Sequence, residues 1–254
     1  MSADSNIRRL QSLDSLRGVA ALIVVFYHMV GALPAPFASL ASAPWRPLEG
    51  LPGWMVTLRY ATAWIPLRLL WGGGYECVLL FFVLSGYVLS LPYLAGKSPS
   101  WTRYIGKRLC RLYLPSIAAI LFALAMRAIA INGTYTFTPE WPWAAPLTPS
   151  LIWNNVLFLG GGDSFHLDGT IWSLVHEMRI SIIFPFLFLI VLRTPALLSY
   201  ATSALLALWA FHFVPTIGAD TPLAQAERSW ADTSGYVFYF VLGIVAARYH
   251  QKIG

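Results

Sequence analysis

Residues 13–30 read LDSLRGVAALIVVFYHMV. From Val19 to Phe26 every residue is apolar, with no alternation between polar and apolar positions. A half-buried strand would alternate with period two, so the stretch is predicted to be helical. Together with its flanks it makes a span of roughly 17–33, close to the roughly 20 apolar residues that cross about 30 Å of hydrocarbon. Two polar side chains, Arg17 and His28, sit inside this helix. In lipid such groups are expensive and mark function by default.

The rest of the chain repeats the pattern. Further apolar segments are read at roughly 73–94, 112–131, 170–192, 196–214 and 235–250. The stretch LIWNNVLFLG, 151–160, is apolar but too short to cross and reads as interfacial or re-entrant. Hydrophobic residues make up 57% of the 254 and charged residues 11%, against about 25% charged in soluble domains. Mean hydropathy is +0.63. Continuous apolar segments exclude a closed barrel, and helices are then the way to satisfy the backbone in lipid. The predicted fold is an all-α polytopic transmembrane bundle of about six spans, forming one domain over residues 1–254.

Charge orients it. With the N-terminus in the cytoplasm, 11 of the 17 Lys and Arg fall inside, four outside and two, Arg127 and Arg179, within spans. That asymmetry follows the positive-inside rule. The net charge of +6 is therefore topogenic and implies no nucleic-acid partner. The outside loops 34–72, 132–169 and 215–234 are rich in Pro, Trp and Gly, suited to a membrane interface or to sugar rings. Cys77 and Cys110 lie near opposite ends of neighbouring segments, so no disulfide and no metal set is expected. The apolar run at the N-terminus is followed by Pro34 and Pro36 rather than a cleavage site, which argues against a signal peptide. Gly72-Gly73-Gly74 and Gly160-Gly161-Gly162 lack the strand and lysine of a phosphate loop.

Four features could carry chemistry. Arg17 and His28 are eleven residues apart, about 1100° of helix, so they share a face within about 20° and lie about 16 Å apart along it. Arg17 is placed at the cytoplasmic edge and His28 near mid-membrane. The plain alternatives are a snorkelling arginine and a hydrogen-bonded structural histidine. Next, WSLVHE, 172–177, opens the fourth span and sets Glu177 about 9 Å in from the outer face, within reach of His28 in a core of about 30 Å. A structural ion pair of Glu177 with Arg179 or Arg127 is the alternative. His176 points about 100° away and reads as structural. In FFVLSGY, 81–87, Ser85-Gly86 suits close helix packing. Finally Lys97, Arg103, Lys107, Arg108 and Arg111 precede the third span. They are topogenic, or a cation cluster able to grip a polyphosphate with forked arginine contacts.

These motifs in this order, LDSLRGVAALIVVFYH, FFVLSGY, KRLCRLYLP and WSLVHE, resemble the membrane-bound acyltransferase-3 family from about residue 11 to the C-terminus. The resemblance implies an enzyme that moves an acyl group, often acetyl from acetyl-CoA, onto a hydroxyl of a glycan or another cell-envelope acceptor. It implies the inner (plasma) membrane as location, acyl-CoA as co-substrate and no bound cofactor. It maps the family's Arg-(x10)-His onto Arg17 and His28, its Ser-Gly onto Ser85 and Gly86, its basic motif onto Arg108 and Arg111, and its Trp-Ser-Leu-x-x-Glu onto Trp172, Ser173 and Glu177. His28 and Glu177 are thereby the expected catalytic residues. Arg17, Ser85, Arg108, Arg111, Trp172 and Ser173 are the expected substrate-binding ones. Two departures stand out. Members place an acidic or polar residue two before the Phe-Phe pair, where this chain has Leu79, with Glu76 one turn earlier. The resemblance also implies about ten spans where about six are read here, so the C-terminal spans are expected to be missing.

In the mechanism this suggests, Arg17 with Arg108 and Arg111 holds the CoA phosphates and the pantetheine arm lies along the Arg17–His28 face. His28 then takes the proton of the acceptor hydroxyl, or the acyl group itself, a role that suits histidine as a residue type because the free side chain has a pKa of about 6.5. Glu177 orients the imidazole or receives the acceptor, and Trp172 packs on a sugar ring. The competing classes are a proton-coupled transporter or flippase, which would use similar buried groups but is expected to show internal repeats, and a non-catalytic membrane subunit.

Overall fold

A computed structural model describes residues 3–32, 52–61, 72–97, 100–132, 143, 146–158, 167–212 and 221–253. Among these there is no strand. The helices are α1 (Ala3–Gly31), α2 (Gly53–Ala61), α3 (Gly74–Leu94), α4 (Trp101–Asn132), α5 (Pro149–Val156), α6 (Ile171–Arg193), α7 (Ala196–His212) and α8 (Pro222–Ile253). Five segments are long and apolar enough to cross a membrane: Gln11–Gly31, Gly74–Leu94, Trp101–Ala130, Ile171–Arg193 and Ala224–His250. The remaining expected span is α7, whose 17 residues reach about 26 Å. The chain is a multi-pass membrane protein. Its large exposed apolar side chains, such as Leu22, Phe122, Ile190 and Leu197, suit helix faces turned to lipid.

Three boundaries differ from the expectation, each for one reason: hydropathy detects apolar residues, while helices also incorporate polar ones. The first helix begins well before Arg17, because Gln11, Ser12, Asp14 and Ser15 continue it without being apolar. The third begins at Trp101 and absorbs the basic stretch, whose Arg and Lys are good helix formers. The last begins at Pro222, so the second half of the loop expected at 215–234 is helical. Glu227, Arg228 and Asp232 lower the hydropathy there, while proline suits a helix's first turn. Parts of the loops expected at 34–72 and 132–169 fall outside the described residues, as do Arg46, Arg68 and the glycine run 160–162; the described part of the first is helical, as α2, where a loop was expected.

The chain divides into two compact units, one up to Ser85 and one from Gly86 to Ile253. In the first, α1 meets α3. The less exposed positions of α1 are Leu13, Arg17, Ala20, Ile23, Val24, Tyr27 and Val30, a three-to-four spacing that makes one stripe. Tyr27 lies against Gly74, where a Cβ would fall on its ring.

In the second unit α6 packs on α4 and on α8, α8 also packs on α7, and α5 rests on α4. Leu112, Ile120, Leu151, Phe158, Ile171, Val175 and Met178 form a shared apolar core. Phe158 ends the α5 segment with φ of 54°, a left-handed conformation costing about 1–2 kcal/mol. Its burial among these side chains and against Tyr113, at 5.1 Å between rings, offsets that cost. The glycine of the Ser-Gly pair packs closely, as expected: a Cβ on Gly86 would fall on the backbone carbonyl of Phe240 in α8. Small residues permit such approaches between helices.

Candidate active site

Arg17 lies on the packed stripe of α1. Its Nη2 donates to the carbonyl of Leu84 in α3 at 3.4 Å, and its Nη1 is 4.0 Å from the carboxylate of Asp14, whose own side chain is largely exposed. Relative to Arg17 the stripe is centred about 60–80° away, at Ala20 and Tyr27, so both Arg17 and His28 lie on its rim. His28 is exposed and meets the ring of Tyr27 edge-on at 5.3 Å. The shared face expected from their spacing is thus present.

α1 runs from Ala3 to Gly31, and His28 falls in its last turn. Glu76 is exposed in the first turn of α3, and Ser85 is buried near the middle of that helix.

In the second unit the basic stretch divides by face. Arg103, Lys107 and Arg111 are exposed on α4, while Arg108 turns inward and is 6% exposed. Its Nη2 lies 3.3 Å from Glu177 Oε1 and donates to Ser181 Oγ at 3.0 Å. One turn away, Tyr104 donates its hydroxyl proton to the carbonyl of Ser181 at 2.9 Å. Antiparallel α4 and α6 are thus matched as Tyr104 with Ser181 and Arg108 with Glu177. Glu177 is thus ion-paired with Arg108, a partner that the sequence alternatives did not name. The pair lies about 9 Å from the start of α6 and about 24 Å from its Arg193 end. Arg108 and Arg193, both assigned to the inside face from the sequence, are therefore far from level.

The other side of α6 carries a polar cluster that sequence reasoning missed. His176 Nδ1 is 2.8 Å from Thr233 Oγ1. Arg179 Nη1 donates to Thr233 Oγ1 at 2.9 Å, to Ser229 Oγ at 2.9 Å and to the Ser229 carbonyl at 3.1 Å. The guanidinium also lies 4.2 Å from the centre of the Trp230 ring, a cation–π contact. His176 further meets the rings of Trp172 and Tyr236, at 6.0 and 4.9 Å. The structural reading of His176 therefore has a physical basis. The signal was present in Ser229-(x3)-Thr233, a one-turn polar pair, but it fell in a segment read as loop. Trp172 is half-buried, and Ser173 turns back to donate to the Thr170 carbonyl at 3.2 Å.

Chemically, the first unit offers an exposed imidazole and a guanidinium on one helical azimuth. The second offers a carboxylate fixed by an arginine. Among the described residues no group of three His, Cys, Asp or Glu is arranged to hold a metal ion.

In comparison with known proteins, the family model of an acyltransferase domain, of the acyltransferase-3 type, fits residues 10–254. No curated protein and no solved structure matches the chain.

Proposed function

The chain belongs to the acyltransferase-3 family and is a membrane acyltransferase; from that premise we propose that its donor is an acyl-CoA, most simply acetyl-CoA, and its acceptor a hydroxyl of a glycan or other cell-envelope molecule at the inner membrane. The observation that carries this reading is the exposed imidazole of His28 on the azimuth of Arg17, within a chain matched by that family over residues 10–254.

Arg17 binds donor phosphate through its forked guanidinium. The arm of the donor runs along α1 for the distance of about 16 Å that separates the two residues. The imidazole of His28 takes the proton of the acceptor hydroxyl as that oxygen attacks the thioester carbonyl. The carbon–sulfur bond breaks, the CoA sulfur takes the proton back from the imidazolium, and an ester and free CoA leave. In the second unit, Arg111 adds an exposed cation for an anionic ligand. Arg108 holds the Glu177 carboxylate for the acceptor, and Trp172, with Ser173 beside it, offers a face to a sugar ring.

The test is His28→Ala in the full chain. Insertion into the membrane is expected to be unchanged and acyl transfer from labelled acetyl-CoA to fall to background. A variant with wild-type turnover would overturn the assignment of His28.

A further inference from the structure

Proline at position 185 lies inside α6 and has no N–H to give the carbonyl four residues back, that of Ser181. Ser181 is fully buried, and an unsatisfied carbonyl there would be costly. The donor that reaches it comes from another helix: Tyr104 Oη, at 2.9 Å. Tyr104 is itself buried, between Tyr93 at 6.5 Å and Phe184 at 6.4 Å ring to ring. Its hydroxyl thus fills a vacancy in α6 that the proline creates.

The consequence lies one turn along. Four residues on from Tyr104 in α4 is Arg108, and four residues back from Ser181 in α6 is Glu177. Residues four apart lie one above the other on a helix, so fixing Tyr104 on Ser181 brings Arg108 to Glu177, where their side chains are 3.3 Å apart. Ser181 takes part twice, since its hydroxyl also accepts from Arg108 at 3.0 Å. We propose that Pro185, Ser181 and Tyr104 are positioning residues: the carbonyl vacated by Pro185 locks Tyr104, and this sets the register of α4 on α6 that holds the Arg108–Glu177 pair. This deepens the proposed function, in which Arg108 holds Glu177 for the acceptor.

The test uses the full chain in detergent, with Tyr104→Phe, Pro185→Ala and the double variant. Tyr104→Phe leaves the carbonyl unfilled and is expected to lower the melting temperature by about 2–4 °C. Alanine at 185 supplies the missing N–H from within α6, so the double variant is expected to melt close to Pro185→Ala alone. Turnover separates positioning from mere stability. It is expected to fall about tenfold in Tyr104→Phe and to stay low in the double variant, because the helix regains its hydrogen bond but not its tie to α4. The melting arm needs no substrate, so it can fail independently of the donor and acceptor assignments. In the same arm, Glu177→Gln and Tyr104→Phe are expected to be non-additive, as coupled neighbours are. An unchanged melting temperature in Tyr104→Phe, additivity with Glu177→Gln, or recovery of turnover together with stability in the double variant would each overturn the proposal.

Discussion

Arg108 and Glu177 form a tightly enclosed charge pair, with side chains 8% and 14% exposed. Charges this enclosed are costly when one partner is removed, by about 3–5 kcal/mol. Glu177→Gln is therefore expected to lower the melting temperature markedly in detergent, while Glu177→Asp, which keeps the charge, loses less. Asp14→Asn supplies the contrast. Asp14 is 77% exposed and 4.0 Å from Arg17, so its loss is expected to shift stability by less than about 1 kcal/mol. Equal shifts in Glu177→Gln and Asp14→Asn would contradict this ranking of the two pairs. The sequence showed Glu177 as a buried acid, but not its partner. Arg179 is near in sequence but about 200° around the same helix, and composition offers Arg127. The actual partner stands 69 residues away in sequence, brought there by a register no local pattern encodes. His28 was more legible, because its relation to Arg17 depends only on helical geometry within one element.

At the scale of the element, the same glycine residue type has opposite consequences in α3 and α4. A Cβ on Gly86 would strike the Phe240 carbonyl, backbone that yields little, whereas nothing lies within 4 Å of the corresponding position on Gly106. Gly86→Ala is expected to destabilise the chain by about 1–3 kcal/mol through overpacking. Gly106→Ala is expected to stabilise it by about 0.5–1 kcal/mol, since alanine loses less backbone freedom than glycine in a helix. Thermal melting of the two variants checks both signs, and a neutral Gly86→Ala would mean that α3 and α8 do not approach so closely. The existence of the long helices was legible, because long apolar runs have one solution in lipid; the short α2, inside the stretch read as the loop 34–72, was not. Helix ends were less so. The N-terminal parts of α1, α4 and α8 carry charges that lower hydropathy without breaking a helix. The polar cluster of His176, Arg179, Ser229 and Thr233 was hidden for that reason, since half of it lies in the part of α8 read as loop.

For the whole molecule, apolar runs and composition carried the membrane architecture and four motifs in order along the chain carried the family, whose model spans residues 10–254. What motif order cannot encode is the pairing of side chains from different helices, and at that level the structure adds the Arg108–Glu177 tie and the buried cluster on the other face of α6. A transporter built on similar buried groups would move its substrate without consuming a donor, so the chemistry of donor consumption decides between the classes. The most direct measurement of acyl transfer is the fate of an acetyl label. Membranes containing the full chain are incubated with acetyl-labelled acetyl-CoA and cell-envelope glycans, and the acceptor fraction is analysed before and after mild base. Label is expected on the acceptor as a base-labile ester, with an equal amount of free CoA released. Unlabelled acceptor with intact acetyl-CoA, in membranes where the chain is inserted, would contradict it.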